Sequence, residues 1–332
     1  MDAPADARAW RVRYHSRALD GRDVVVSGVV VAPKGRPPTA GRPVVSWAHG
    51  TTGLADVCAP SRSAQVAAGL PWVQELLGRG VVIAATDYEG LGSPGPHPYL
   101  VGESEGRGVL DIARAARHLA PAHASDVVVS IGHSQGGHAA LFAGEVAPAY
   151  APDLDVRGVA ALAPVTDPST LFALDAPTDV RGFGPMVAAG IRAAFADADV
   201  DAVLDPEAAA ALARYDGSAC LQATLAGFAD PNVAILRADP TTVPTVAAAL
   251  RRSTAGRIAS PVPIAVFQGT DDTIVPAAAT AAYVARACAL GDRVLAQVDE
   301  GVDHGSVLAA STDALLAWLD ARLADAQAPS TC

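Results

Sequence analysis

An α/β fold with a doubly wound, mostly parallel sheet is what this sequence predicts, on three observations. Apolar runs of strand length alternate with helical segments over most of the chain. Those runs, such as Pro43-Val44-Val45-Ser46-Trp47-Ala48 and Val81-Val82-Ile83-Ala84-Ala85-Thr86, are continuously apolar, as strands covered on both faces are. The stretch Val127-Val128-Val129-Ser130-Ile131-Gly132-His133-Ser134-Gln135-Gly136-Gly137 reads as a buried strand turning sharply into a helix. Right-handed crossovers between parallel strands put helices on both faces, and sites on such sheets lie at the carboxyl ends of the strands.

In order, residues 8–32 are valine-rich and alternating around Asp20-Gly21, which predicts a β-hairpin. A turn-rich loop to Pro43 precedes the strand ending at Ala48, which runs into His49-Gly50-Thr51-Thr52-Gly53. A helix near Pro71 to Leu77, the strand Val81 to Thr86 and a Gly/Pro-dense loop to Pro98 follow. Glu103 to Leu119 carries apolar residues at Val109, Ile112, Ala116 and Leu119, which predicts a helix. After the strand at Val127, a helix from His138 to Val146 should stop at Pro148, with another strand from Val159 to Val165. From Thr166 to Arg257 the alternation ceases. Short Ala-rich helical stretches are broken by Pro168, Pro177, Pro185, Pro206, Pro231, Pro240 and Pro244. This reads as a helical cap inserted between two sheet strands. The expected division is a core of residues 1–165 and 258–332 with a cap of residues 166–257. The pattern resumes with a strand from Val262 to Phe267, a helix from Ala277 to Ala289, a strand from Arg293 to Val298 and a last helix from Ser306 to Leu323.

Composition narrows the function. The chain has 332 residues, is 51% hydrophobic and has a mean hydropathy of +0.26, which argues for a globular protein. No apolar run approaches the roughly 20 residues of a membrane span. A net charge of −11 disfavours nucleic acid and anionic lipid as partners. The start Met1-Asp2-Ala3-Pro4 has no signal-peptide character, which leaves a cytoplasmic protein or a mature secreted chain. Four cysteines, none in a CxxC pattern, allow three pairings; two disulfides imply an oxidising compartment and favour secretion.

Gly132-His133-Ser134-Gln135-Gly136 fits G-x-S-x-G, the nucleophile elbow. A resting serine hydroxyl is a poor nucleophile, so it must project from a tight turn to meet a base. Side chains next to such a turn would collide with strand or helix, and glycine at Gly132 and Gly136 removes the collision. In an α/β-hydrolase the partners follow in the order Ser…Asp/Glu…His. The histidines stand at 15, 49, 97, 118, 123, 133, 138 and 304, and only His304 lies beyond the elbow helix. It sits in Gly301-Val302-Asp303-His304-Gly305, a polar loop after the last strand, and is the expected general base. The acid should follow the preceding strand, where Gly269-Thr270-Asp271-Asp272-Thr273-Ile274-Val275-Pro276 offers Asp272, its neighbour Asp271, or, after an earlier strand, Asp167. Asp272 is preferred, to orient His304 and stabilise its imidazolium. The oxyanion donors expected are the backbone N–H of Gln135 and one from the His49–Thr52 turn, with Thr51 ahead of Thr52.

Beyond these motifs, His49-Gly50-Thr51-Thr52-Gly53…Cys58-Ala59-Pro60-Ser61, Asp87-Tyr88-Glu89-Gly90-Leu91-Gly92 and His97-Pro98-Tyr99-Leu100-Val101-Gly102 resemble the secretory lipase family over roughly residues 43–320. The resemblance implies an α/β-hydrolase fold and a carboxylic ester hydrolase, often a triacylglycerol lipase. The expected substrates are acylglycerols or short-to-medium chain esters, with no cofactor or metal, and the chain is expected to be a monomer. It also implies that Cys58 bridges to Cys220 in the cap, with Cys288 and Cys332 as the other pair, tethering the carboxyl terminus. The chain departs from fungal members in three ways. It has threonine where they carry an acid in the oxyanion turn, it has Val302-Asp303 where they place a cysteine before the catalytic histidine, and it ends without their flap. A less covered site favours short or soluble esters. An acyltransferase or peptidase using the same three residues, and a non-catalytic binding protein, are the alternative readings.

Overall fold

The valine alternation around Gly21 (φ 86°) produces the antiparallel hairpin of β1 (Ala7–Arg17) and β2 (Asp23–Pro33), paired from Ala7↔Pro33 to Arg17↔Asp23. The computed structural model describes residues 1–172, 180–215 and 219–332; Pro177 lies outside them. β3 (Arg42–Ala48), α1 (Val73–Gly78), β4 (Val82–Thr86), α2 (Gly102–His118), β5 (Ala124–His133), α3 (Gln135–Tyr150) and β6 (Asp155–Leu162) follow. After β6, the described residues form α4 (Phe183–Ala194), α5 (Pro206–Tyr215), α6 (Leu221–Gly227) and α7 (Pro244–Arg252). β7 (Ile264–Gly269), α8 (Ala277–Leu290), β8 (Val294–Asp299), α9 (Val307–Ala310) and α10 (Thr312–Leu323) complete the chain.

The eight strands form one sheet in the order β1-β2-β4-β3-β5-β6-β7-β8. The β1/β2 and β2/β4 pairs are antiparallel and all others are parallel. Side chains alternate across the pleat and so feed two cores. Val45, Trp47 and Ile83 meet Leu76 and Leu77 of α1 and Trp318 and Leu319 of α10. Val44, Val82 and Ala84 meet Ile112 and Ala113 of α2 and Ala139 and Ala143 of α3. The order reverses at β3, flanked by β4 on one side and β5 on the other, so the crevice at this switch point opens beside the carboxyl ends of β3 and β5. The fold is that of an α/β-hydrolase.

The helices after β6 share an apolar cluster that includes Met186, Val187, Ile191, Val203, Phe228 and Leu250. The cluster extends onto Leu54 after β3, Tyr99 and Leu100 after β4, and Val275 after β7. The helical segment therefore packs on the loops at the carboxyl ends of the sheet. Two disulfides tie the molecule. Cys58–Cys220 joins the loop after β3 to the start of α6, and Cys288–Cys332 joins α8 to the terminus.

Several boundaries differ from the sequence reading, and three elements show why. α3 starts at Gln135 and continues past Pro148 to Tyr150. One missing N–H in the last turn is tolerated, because Ala151 N–H still closes on Ala147 O at 2.8 Å. β6 ends at Leu162, since Ala163 adopts φ 43° and leaves the sheet. The expected last helix is two, α9 and α10. At the junction Ser311 Oγ donates to Val307 O (2.6 Å) and Thr312 Oγ1 to Leu308 O (3.0 Å), and such back-bonding competes with the helical ladder.

Candidate active site

Ser134 follows β5 directly and has φ 58° and ψ −119°, a conformation that a non-glycine residue holds at a cost of about 1–3 kcal/mol. The surroundings impose it. Ser134 N–H donates to Leu162 O (2.9 Å), and Ser134 O accepts from His138 N–H (3.1 Å) and Val165 N–H (3.3 Å). A methyl on Gly132 would fall 2.0 Å from Gly136 O, and one on Gly136 would fall 1.9 Å from Ala48 O. These two positions therefore require glycine for β5, α3 and β3 to meet as closely as they do.

Because α3 begins at Gln135, the backbone N–H of that residue is the first in the helix and has no intrahelical acceptor. Its side chain is fully buried and clamped. Gln135 Nε2 donates to Glu105 Oε1 (2.8 Å) and to His97 Nε2 (3.0 Å). His97 in turn donates from Nδ1 to Glu89 O (2.7 Å), and burial pushes its pKa down to about 4, which keeps Nε2 free to accept. Glu105 also accepts from Leu100 N–H (2.9 Å) and, on its other oxygen, from His138 Nδ1 (2.7 Å). His138 Nε2 faces Ser253 O at 2.8 Å. Both ring nitrogens of His138 are thus engaged in the interior, one by a carboxylate and one by a backbone carbonyl.

On the other side of Ser134 lies the loop after β8. His304 Nδ1 meets Asp272 Oδ2 at 2.7 Å. Asp272 Oδ1 accepts from Ile274 N–H (2.9 Å) and Val275 N–H (2.8 Å), while Gln268 Nε2 donates to Oδ2 (3.0 Å). Burial alone would raise the carboxyl pKa. The bond to His304 and its charge, with the two backbone N–H groups, outweigh burial and hold it below the ordinary value. The loop is docked on the elbow, as His133 Nε2 donates to His304 O (2.7 Å) and the two rings lie 4.7 Å apart. Burial, with His304 nearby, pushes the His133 pKa to about 4 and keeps that ring a neutral donor. No hydrogen bond joins Ser134 Oγ to His304 Nε2 among the described residues; such catalytic contacts commonly close only in the complex with substrate.

The turn after β3 lies against Ser134. A methyl on Gly50 would sit 3.3 Å from His133 Nδ1 and 3.6 Å from Ser134 Cβ. Thr51 Oγ1 bonds Tyr99 OH (2.8 Å), and Thr52 O accepts from Leu221 N–H (2.8 Å) beside the Cys58–Cys220 bridge. His49 is buried, its pKa lowered mainly by that burial, and its ring lies 4.5 Å from that of Tyr88, tilted by 44°.

Of the three candidate carboxylates, Asp272 is the one in contact with His304. Asp271 is exposed and accepts from Thr270 Oγ1 (3.0 Å), and Asp167 accepts from Ser169 N–H (3.0 Å) in its own turn. The sequence reading missed His133, Gln268, Glu105, His138 and His97 as supports. Gln268 carried a signal, a polar residue closing an apolar strand. Glu105 and His138 carried none, since 33 residues separate them. Among the described residues no group of acidic, histidine or cysteine side chains is arranged to hold a metal ion.

The secretory lipase family model matches residues 56–331. Candida antarctica lipase A superposes with a TM-score of 0.84 at 19% identity, over 98% of this chain and 80% of that one. The rice cell wall degrading esterase LipA from Xanthomonas oryzae superposes at 0.79 and 19% identity, over 97% and 91%. A putative hydrolase from Legionella pneumophila does so at 0.75 and 20% identity, over 94% and 89%. At these identities the solved structures speak for the fold, and no curated protein matches in sequence. With the family model spanning most of its length, the chain belongs to the secretory lipase family and is a carboxylic ester hydrolase.

Proposed function

We propose that the chain hydrolyses carboxylic esters through an acyl-enzyme on Ser134. His304 Nε2 takes the Ser134 proton as Oγ bonds to the ester carbonyl carbon, and the N–H groups of Gln135 and Thr51 hold the resulting oxyanion. Collapse expels the alcohol, which takes the proton from His304. Water then attacks the acyl group, its proton passes through His304 back to Ser134 Oγ, and the carboxylic acid leaves. Asp272 holds the His304 tautomer and stabilises the imidazolium. Residues 166–257 act as the cap over this site, on the support of their packing against the loops after β3, β4 and β7. The family name and the two disulfides support export to an oxidising compartment.

The reading rests above all on the 2.7 Å bond from His133 Nε2 to His304 O, which ties the Asp272-bound imidazole to the neighbour of the strained serine. Wild-type enzyme should release a burst of p-nitrophenol stoichiometric with enzyme from a p-nitrophenyl ester, and Ser134→Ala should release none. An undiminished burst from that variant would refute the nucleophile assignment. Rates across esters of two to eighteen carbons, above and below their solubility limits, distinguish esterase from lipase.

A further inference from the structure

A groove of about 950 Å³ runs between the start of α2, the second half of α3 and the end of α7. It lies 8 to 16 residues along α3 from Ser134, roughly 12–24 Å at the helical rise. Val146, Ala149, Ala248 and Ile258 give it apolar walls, and Ile258 is 63% exposed, high for an isoleucine. Arg107, Arg251, Arg252 and Arg257 also line it. Two of these share one carboxylate, because Glu103 accepts from Arg107 (3.1 Å) and from Arg252 (3.3 Å). Arg251 and Arg257 have no acidic partner among the described residues, in a chain with 35 acidic and 24 basic side chains. Glu145, on the groove wall, accepts from Gly256 N–H (2.7 Å), and burial pushes its pKa up to about 7, which weakens its claim as a counter-ion.

We propose that this groove binds a single-chain fatty-acid carboxylate, with the head on Arg251 and Arg257 and the chain along the Val146, Ala149, Ala248 and Ile258 wall. Unpaired guanidinium groups beside an open apolar channel suit an anion with an aliphatic tail, and a guanidinium fork matches a carboxylate. The ligand class is the acid that ester hydrolysis releases, so the inference borrows its chemistry from that activity, while the site itself is separate from Ser134.

Equilibrium dialysis with radiolabelled dodecanoate, below its micelle concentration, tests it. Wild type should bind saturably, dodecanol at least tenfold more weakly, and added salt should weaken the dodecanoate interaction. Arg251→Gln with Arg257→Gln should weaken dodecanoate binding at least tenfold, and Ala149→Trp should block the channel without a change of charge. All variants should hydrolyse p-nitrophenyl acetate at the wild-type rate, which separates this site from the Ser134 chemistry. Unchanged dodecanoate binding in the double arginine variant, or equal binding of dodecanol, would overturn the proposal. Sedimentation with phosphatidylglycerol vesicles but not phosphatidylcholine vesicles, lost in the arginine variant and without any dodecanoate binding, would also overturn it, in favour of an anionic membrane surface.

Discussion

Two adjacent carboxylates, Asp271 and Asp272, differ in everything but chemistry. Asp272 takes four donors, from Ile274, Val275, Gln268 and His304. Asp271 projects into solvent beside Thr270. Asparagine at 272 would keep the two backbone bonds but lose the charge that, in the proposed mechanism, selects the His304 tautomer. We expect Asp272→Asn to lower kcat on p-nitrophenyl butyrate by on the order of 10⁴, and Asp271→Asn to leave it within about threefold. Comparable losses in the two variants would remove Asp272 from its role.

The elements α2 and α3 are locked by Glu105, whose oxygens hold the Gln135 side chain, the Leu100 N–H and His138. Both partners of the Glu105–His138 pair have fully buried side chains. Removing one partner from a buried hydrogen-bonded pair of this kind can cost about 3–5 kcal/mol. Glu105→Gln should therefore lower the thermal midpoint by several degrees. It should also lower kcat more than KM rises, because the clamp acts on Gln135, whose N–H is the proposed oxyanion donor. A variant with reduced stability and wild-type kcat would show the clamp to be structural alone.

For the molecule as a whole, two features set stability. The Cys58–Cys220 bridge spans 162 residues, worth about 5 kcal/mol by the chain-entropy model, and it also fixes the start of α6 beside the Thr51–Thr52 turn. Cys288–Cys332 spans 44 residues and holds only the terminal tail to α8. Differential scanning calorimetry should show a larger loss for Cys58→Ser with Cys220→Ser than for Cys288→Ser with Cys332→Ser. Buried ionisable groups set the pH response. His97 and His133 fall from an ordinary 6.5 to about 4, so the unfolded chain binds more protons between those values and stability declines as pH drops through them. Glu145 rises from 4.5 to about 7, so its contribution is full below 4.5 and is lost as pH rises through 7. Glu145→Gln should thus gain up to about 3 kcal/mol above pH 7 and converge with wild type near pH 4, so its stability falls more steeply than that of wild type as pH drops between them. Parallel midpoint curves from pH 4 to 8 would contradict this.

Much of this was legible in the residues. Continuous apolar runs required a sheet covered on both sides, Gly132 and Gly136 around Ser134 marked where strand, turn and helix crowd together, and His304 stood alone beyond the elbow. Those signals are local, because backbone sterics and periodicity act over a few residues. Other decisions were made by contacts between distant segments. Neighbouring hydrogen bonds, not spacing, set Asp272 apart from Asp271. Pro148 ended no helix, because the rest of its turn stayed bonded. Glu105 met His138 and Gln135 only once α2 had packed on α3. Arg251 and Arg257 came to share a groove with α3 only when α7 settled across it. Charge pairing and desolvation depend on what surrounds a side chain in space, and that neighbourhood exists only in the folded chain.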